Sequence, residues 1–469
     1  MDRISSGCDA LDSILGGGFP ANSINIIMGL PGTGKTILAE KVIFSNASAD
    51  RPALYLGTVS EPLDKMLRYL QDFDYFDAGL IGDAIYYEDM SEILRSEGLE
   101  ALIAEVIRLV KEYDPSFLVI DSFKALHAFS SSPGEFRRLL SGLMTTLSSL
   151  AITTFLVGEY AASELSQAPE FAIVDGVIEL VLQKVGVRDV RYLRVVKERG
   201  STFLNGEHAF KITAGGLDVF PRLVTPPSAV SYELIHERER TGVAVLDTMI
   251  AEGFWKGSST VAFGPPGGGK TLLGLHYIFK GIEMGQKGLI ATMQENPTQL
   301  QRIISGFGWD LHEAIDSGML ELFYVSPVDI YIDEFVNKVS AMALRSGAKR
   351  VMIDSLNDLE ASAPDADRFR DFMYSLMQIF SIEGVSAYMT SEVKNVFSTS
   401  IFTDTGISHM SDNVVLIHYV RQESEIKRAI SIIKTRGSTH DPSIRQFDIT
   451  SDGLLVGAAL SQETEFGNS

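Results

Sequence analysis

The chain has 469 residues, 61 of them Asp or Glu against 40 Lys or Arg, giving a formal net charge of −21. That balance argues against a broad nucleic-acid surface, because phosphate contacts need clustered cations; Arg137-Arg138 and Lys349-Arg350 are too short for one and read as solvated helix ends. No apolar run approaches the ~20 residues that span a bilayer, Met1 to Ser5 lacks a signal-peptide layout, and the lone Cys8 excludes an internal disulfide or cysteine-based zinc site. A cytoplasmic location is the expectation.

In chain order, Ser6-Gly7 and Leu11-Asp12 precede an apolar, strand-like run from Ile24 to Met28. That run enters Gly29-Leu30-Pro31-Gly32-Thr33-Gly34-Lys35-Thr36, and a helix-like stretch, Ile37 to Phe44, follows. The loop satisfies G-x-x-x-x-G-K-[ST]. Its glycines let backbone N–H groups turn in around phosphate oxygens, Lys35 reaches the β- and γ-phosphates, and Thr36 offers a hydroxyl to Mg²⁺. The strand–loop–helix order puts phosphate at a helix N-terminus.

The next strand-like run ends in Thr58-Val59-Ser60-Glu61-Pro62, and a later one, Phe117 to Ile120, ends in Asp121-Ser122. Lys197-Glu198-Arg199-Gly200-Ser201 follows near the end of this half. Pro221 to Ser231, with Pro226-Pro227, has little hydrophobic periodicity and reads as a boundary.

Beyond it the same landmarks return, about 235 residues later: Thr241-Gly242 with Leu246-Asp247, then the loop Gly264-Pro265-Pro266-Gly267-Gly268-Gly269-Lys270-Thr271. Thr292-Met293-Gln294-Glu295-Asn296-Pro297, Val351 to Asp354-Ser355, and Lys434-Thr435-Arg436-Gly437-Ser438 complete the set. Two loops in correct context make this a nucleotide-binding chain built from two copies of one domain. The expected division is 1–225, 232–457 and a polar tail, 458–469. Alternating β-branched runs and longer helical stretches predict, in each copy, a mostly parallel sheet flanked by helices.

Asp121 and Asp354 close apolar strands behind the loops and are the expected Mg²⁺-side acids, acting with Thr36 and Thr271. Ser122 and Ser355 stand where AAA-type ATPases place a catalytic glutamate. A base must therefore come from elsewhere, and Glu61 and Glu295 recur in register. Their strand is expected to neighbour the loop strand, as in RecA-type domains; the competing reading is a helix-start residue. Lys197 with Arg199, and Lys434 with Arg436, alternate along a strand and point to one face. They are read either as edge decoration or as cations donated to a γ-phosphate.

With these residues the chain resembles the KaiC family, double-domain RecA-like ATPases that include a circadian clock ATPase and autokinase. The resemblance rests on Gly7 to Gly18 and Gly242 to Gly253, both loops, both Asp-Ser strand ends and both Lys-x-Arg-Gly segments. It extends through Thr403 to Asp412, Val414 to Val420, Arg428 to Ile430 and Lys434 to Asp441. It implies two tandem RecA-like P-loop domains, a hexameric double ring, and ATP with Mg²⁺ bound between subunits, facing the neighbour's Lys-x-Arg strand. It also implies an N-terminal ATPase and a C-terminal serine/threonine autokinase and autophosphatase, with a KaiB-like or other signalling protein as partner.

The sequence departs from that pattern at several positions. The family's phosphorylated Ser-Thr pair is Ser408-His409 here, so Ser408 is the remaining acceptor; the alternative is that Ser408 caps a turn. The first of two adjacent family glutamates is Ser60 in one copy and Gln294 in the other, which leaves Glu61 and Glu295. The tail Ser461 to Ser469 is short and polar, so KaiA-type regulation is not expected. Two other classes remain open: a RecA-like DNA-directed ATPase, against which the acidic balance counts, and a nucleotide-gated signalling scaffold.

Overall fold

The computed structural model describes residues 2–58, 63–224, 236–393, 406–422, 425–451 and 453–460. The chain divides into two compact units, Met1–Arg222 and Leu223–Ser469. In the first, β1 (Arg3–Ile4) and β2 (Phe19–Pro20) form a short antiparallel ladder. The main strands are β3 (Ile24–Gly29), β4 (Ala53–Gly57), β5 (Ile85–Asp89), β6 (Phe117–Asp121) and β7 (Thr153–Gly158), then β8 (Gly176–Val185), β9 (Arg188–Glu198), β10 (Glu207–Thr213) and β11 (Gly216–Phe220).

Among the described residues these nine strands form one sheet in the order β11-β10-β9-β8-β3-β7-β6-β4-β5. From β8 to β5 the neighbours are parallel; β8 through β11 are antiparallel hairpin neighbours. The central parallel strands β3, β4, β6 and β7 are buried along their whole length because helices cover both faces. One face packs around Ile27, Leu38, Val42 and Phe155; the other packs around Met28, Leu102, Val106 and Leu140.

The second unit repeats this plan. After the short ladder β12 (Arg238–Glu239) and β13 (Phe254–Trp255) come β14 (Ser259–Gly264), β15 (Gly288–Thr292), β16 (Leu320–Tyr324), β17 (Arg350–Asp354) and β18 (Ser386–Glu392). β19 (Asn413–Gln422), β20 (Glu425–Thr435), β21 (Arg445–Thr450) and β22 (Gly453–Ala459) complete the sheet. The order β16-β15-β17-β18-β14-β19-β20-β21-β22 is that of the first sheet, strand for strand.

Three expectations are corrected. The strand leading to Glu61 or Glu295 (β4 or β15) is not the neighbour of the loop strand: β7 and β6, or β18 and β17, lie between. Chain order does not reveal this, because parallel strands are joined by crossovers that skip neighbours. Arg199 and Arg436 lie one residue beyond the ends of β9 and β20, so only Lys197 and Lys434 are strand residues. Lys349-Arg350 is no solvated helix end, since Arg350 starts β17 with 0% exposure. Its guanidinium donates to the carbonyls of Arg240 (2.8 Å) and Tyr277 (2.7 Å) and to Gln286 Oε1 (2.8 Å), and it stacks on Tyr277. A buried cation is tolerable only with such partners. Arg137 and Arg138 are exposed, but inside the helix Pro133–Ser149 rather than at its end.

Candidate functional site

Each loop runs from the carboxyl end of its central strand into a helix, Lys35–Asn46 in one unit and Lys270–Glu283 in the other. The residues before these helices, Gly34 and Gly269, have φ of +101° and +106°. Any side chain is strained there, so glycine is what the sharp entry requires. Neither helix has a side-chain N-cap or an acidic residue in its first turn. Its leading N–H groups and the positive end of its dipole are thus left for an anion.

Thr36 Oγ1 donates to Asp121 Oδ2 at 2.7 Å, and Thr271 Oγ1 donates to Asp354 Oδ2 at the same distance. Both aspartates are buried, and the Asp121–Ser122 and Asp354–Ser355 peptide bonds are both cis. Burial pushes the Asp121 carboxyl up, and hydrogen bonds from Thr36 and Tyr55 partly offset this. Asp354 is raised in the same way, with Thr271 and Thr390 opposing. Burial pulls the Lys35 and Lys270 ammonium groups down, against nearby Glu159 with Asp121 and Glu392 with Asp354. Each ion is held at a cost that an opposite charge would relieve: an anion for the lysine, a cation for the aspartate. Phosphate and a hard divalent cation fit that pattern, and a carboxylate with a threonine hydroxyl is an oxygen donor set suited to Mg²⁺.

The loops border clefts of about 440 and 370 Å³. Gly32, Gly34, Lys35, Thr36 and Asp121 line the first; Gly267, Gly269, Lys270, Thr271 and Asp354 line the second. Gly29 and Gly264 end the loop strands behind them. Thr33 is buried and bonds the Leu30 carbonyl at 2.8 Å. At the matching position, the Gly268 N–H donates to the Pro265 carbonyl at 3.1 Å.

The match to a family follows this geometry. A family model described as the KaiC ATPase matches residues 4–224 and again 239–461. The chain belongs to the KaiC ATPase family. The Circadian clock oscillator protein KaiC of Picosynechococcus sp. is 27% identical over 468 residues, covering 97% of this chain and 90% of that protein. The protein of that name from Nostoc sp. is 28% identical over 469 residues, with 97% and 88% covered. That from Thermosynechococcus vestitus is 28% identical over 472 residues, with 97% and 89% covered. Among the described residues no helix is long and apolar enough to cross a membrane.

Other residues singled out in the KaiC pattern fall in different places. Glu295 is half-buried and borders the second cleft, its carboxyl raised by burial and then by Asp354 and Asp358. Gln294 beside it donates to Asp358 at 3.1 Å. Ser60 and Glu61 lie outside the described residues, as do Thr403 to Thr405, the boundary from 225 onward and the tail from Ser461.

Lys197 and Arg199 do not meet their own loop. The Arg199 N–H donates to the Asp175 carbonyl, and the Asp175 N–H to that of Ile24, which places the pair at the start of β3. The loop begins at the other end, about 16 Å away at ~3.3 Å per residue. Arg436, Asp412 and Ser259 repeat this arrangement at the start of β14. Lys434 Nζ donates to the Ser408 carbonyl at 2.9 Å and to that of Ser411 at 2.6 Å, and Arg436 donates to that of His409 at 2.5 Å. Ser408 itself is buried in the short helix Ile407–Met410.

Some residues that line the clefts or support their aspartates were missed in the sequence. Tyr55 OH donates to Asp121 Oδ2 at 3.0 Å, and Thr390 donates to Asp354 Oδ1. Glu159 lines the first cleft and Glu392 the second. Their only sequence signal is a glutamate at or just after the end of an apolar run at matching places in the two copies.

Proposed function

We propose that both units bind ATP with Mg²⁺ and hydrolyse it, each site being completed by a neighbouring copy in a ring, with six copies as the family precedent. The observation that carries this reading is a complete loop–threonine–aspartate set in each unit, while its Lys-x-Arg pair stands at the opposite edge of the sheet. A cation about 16 Å from its own loop cannot reach that loop's phosphates, so Arg199 and Arg436 act on a nucleotide held by another copy.

In this reading the loop N–H groups with Lys35 or Lys270 bind the phosphates. Thr36 with Asp121, and Thr271 with Asp354, would hold Mg²⁺, which neutralises charge on the β- and γ-phosphate oxygens when bound. Glu295, and Glu61 at the matching place, orient the attacking water. Lys197, Arg199, Lys434 and Arg436 stabilise charge on the neighbour's γ-phosphate. Location in the cytoplasm and a KaiB-like signalling partner are carried over from the family as part of the proposal.

Autophosphorylation of Ser408 is a second activity in the same reading. Lys434 and Arg436 grip the backbone at Ser408 and His409, so cations that reach a neighbour's γ-phosphate bring Ser408 with them. The hydroxyl must emerge from its buried position to attack.

Incubation of the full chain with Mg-ATP, followed for phosphate release, bound nucleotide and phosphopeptide mass, tests both parts. Lys35→Ala and Lys270→Ala should each remove about half of the bound nucleotide, and the double variant all of it. Phosphate on Ser408 that disappears in Lys270→Ala supports the kinase. ATP-loaded rings with an unmodified segment leave an ATPase alone, and rings that release no phosphate leave a nucleotide-gated scaffold.

A further inference from the structure

Besides its metal-side aspartate, the cleft of each unit is lined by a glutamate close to the loop strand, Glu159 in the first and Glu392 in the second. Glu392 ends β18, the strand hydrogen-bonded directly to β14, and is the register partner of Gly264, the first residue of the loop. Glu159 immediately follows β7, whose last residue, Gly158, pairs with Met28 of β3, so Glu159 lies level with Gly29. Neighbouring strands are ~4.8 Å apart. β4 and β15 stand three strands from the loop strand, roughly 14 Å at that spacing. Glu295 borders the cleft only because its segment runs on beyond β15.

Glu392 Oε1 lies 4.0 Å from Lys270 Nζ. The loop lysine is the group that grips the β- and γ-phosphates, so the Glu392 carboxylate borders the space where a γ-phosphate and an attacking water meet. In the first unit Glu159 lines the cleft together with Lys35 and Asp121.

Both glutamates are also held by their backbone in corresponding ways. The Glu392 N–H donates to Asn357 Oδ1 at 2.6 Å, and Asn357 Nδ2 donates back to the Glu392 carbonyl at 3.3 Å. Lys124 Nζ donates to the Glu159 carbonyl at 2.8 Å. Asn357 and Lys124 are each the third residue after the strand-ending aspartate, Asp354 or Asp121. Two units with different side chains thus fix the same glutamate from the same place, tying it to the strand that carries the metal-side acid. That is the support a catalytic group needs to be held to a fraction of an ångström.

We propose that Glu159 and Glu392 are the proton acceptors for water in ATP hydrolysis, one in each unit. This rests on the ATPase reading above. As the water oxygen forms its bond to the γ-phosphorus, a water proton passes to the glutamate carboxylate. The bond from the γ-phosphorus to the β,γ-bridging oxygen breaks, and its electron pair stays on ADP. The proton then leaves the carboxyl for the released phosphate or solvent, restoring the base. Serine and glutamine at positions 60 and 294 cannot take that proton; a carboxylate on the strand beside the loop can.

The test compares Glu159→Gln, Glu392→Gln and the double variant in the full chain with Glu61→Gln and Glu295→Gln. Phosphate release is measured across pH and ATP concentration, and ATP affinity by equilibrium titration. The double variant should lose about 10²-fold or more in kcat, with KM and ATP affinity within a few-fold of the parent, and Glu159→Asp with Glu392→Asp should keep part of the rate. An unchanged kcat in the double glutamine variant, with release abolished by Lys35→Ala plus Lys270→Ala, overturns the assignment and leaves the ATPase reading standing. A raised KM at unchanged kcat also overturns it, reducing the glutamates to charge partners of the lysines. A parent chain that binds ATP and releases no phosphate overturns both.

Discussion

Glu40 shows how far one residue can set a pH response. It sits on the loop's helix, fully buried, and accepts a hydrogen bond from Tyr87 OH at 2.8 Å, while its other oxygen is buried with no hydrogen-bond partner. Burial pushes its carboxyl from the ordinary 4.5 to about 8. A raised acid favours the folded state while protonated, so this stabilisation is full below pH ~4.5 and is lost as pH rises through about 8. The corresponding position in the second unit is Leu275, buried and without charge. The first unit should therefore unfold at lower temperature at pH 8.5 than at pH 6, by an amount worth a few kcal/mol (~1.4 per pKa unit). Glu40→Gln should flatten that slope and stabilise the unit at the higher pH. Calorimetry of the full chain at several pH values checks this, and a pH slope unchanged by the substitution would place the titrating group elsewhere.

At the scale of elements, the second unit's last hairpin, β21–β22, is pinned by one imidazole. His276 Nε2 accepts the Leu454 N–H at 3.1 Å, and its ring packs edge-on to Trp309. Burial lowers its pKa from 6.5 to about 4. A lowered base stabilises the fold above pH 6.5, and the benefit is lost as pH falls through about 4, so this hairpin should loosen in mild acid. Gly453 opens β22 at φ +103°, and a Cβ there would lie 2.3 Å from the His276 ring. Gly453→Ala therefore combines backbone strain with overpacking and should cost about 2–4 kcal/mol. Amide exchange across β21 and β22 reads both effects, and an alanine variant with unchanged protection would show that the hairpin can shift at little cost.

The same scale explains what was legible in the sequence. The loops, Asp121 and Asp354 could be read because each is a local signal, a few residues whose spacing sets their geometry. Tandem duplication then turned weak signals into strong ones. Sheet order could not be read, because which strands pair is decided by crossovers of dozens of residues. The position of Glu295 relative to the loop was misjudged for that reason, and Glu159 and Glu392 were passed over. Tyr55 and Thr390 were hidden for a related cause: the two units support the same aspartate from different strands, so no repeat marks them. Arg350 is the reverse case, a cation whose burial depends on a stacked Tyr277 and carbonyls far away in sequence.

For the whole molecule, the proposed activity depends on sites shared between copies. If Arg436 serves a neighbour's loop, two defective chains should repair each other, because a closed ring uses the same head-to-tail interface throughout. One chain carries Lys270→Ala and keeps its arginine; the other carries Arg436→Ala and keeps its loop. Both also carry Arg199→Ala, which silences turnover in the first unit while leaving its loop able to bind nucleotide. Each variant alone should release little phosphate. Mixed in equal amounts and allowed to reassemble with Mg-ATP, about a quarter of the interfaces pair an intact loop with an intact arginine, and activity should recover toward that fraction. An arginine acting on its own chain's nucleotide predicts no recovery at any ratio, since neither chain holds both groups. Recovery should also fall on dilution as rings dissociate, whereas a site within one chain is indifferent to concentration. No recovery from mixed rings of normal size would remove the shared site and, with it, the route by which Lys434 and Arg436 carry Ser408 to a neighbour's phosphate.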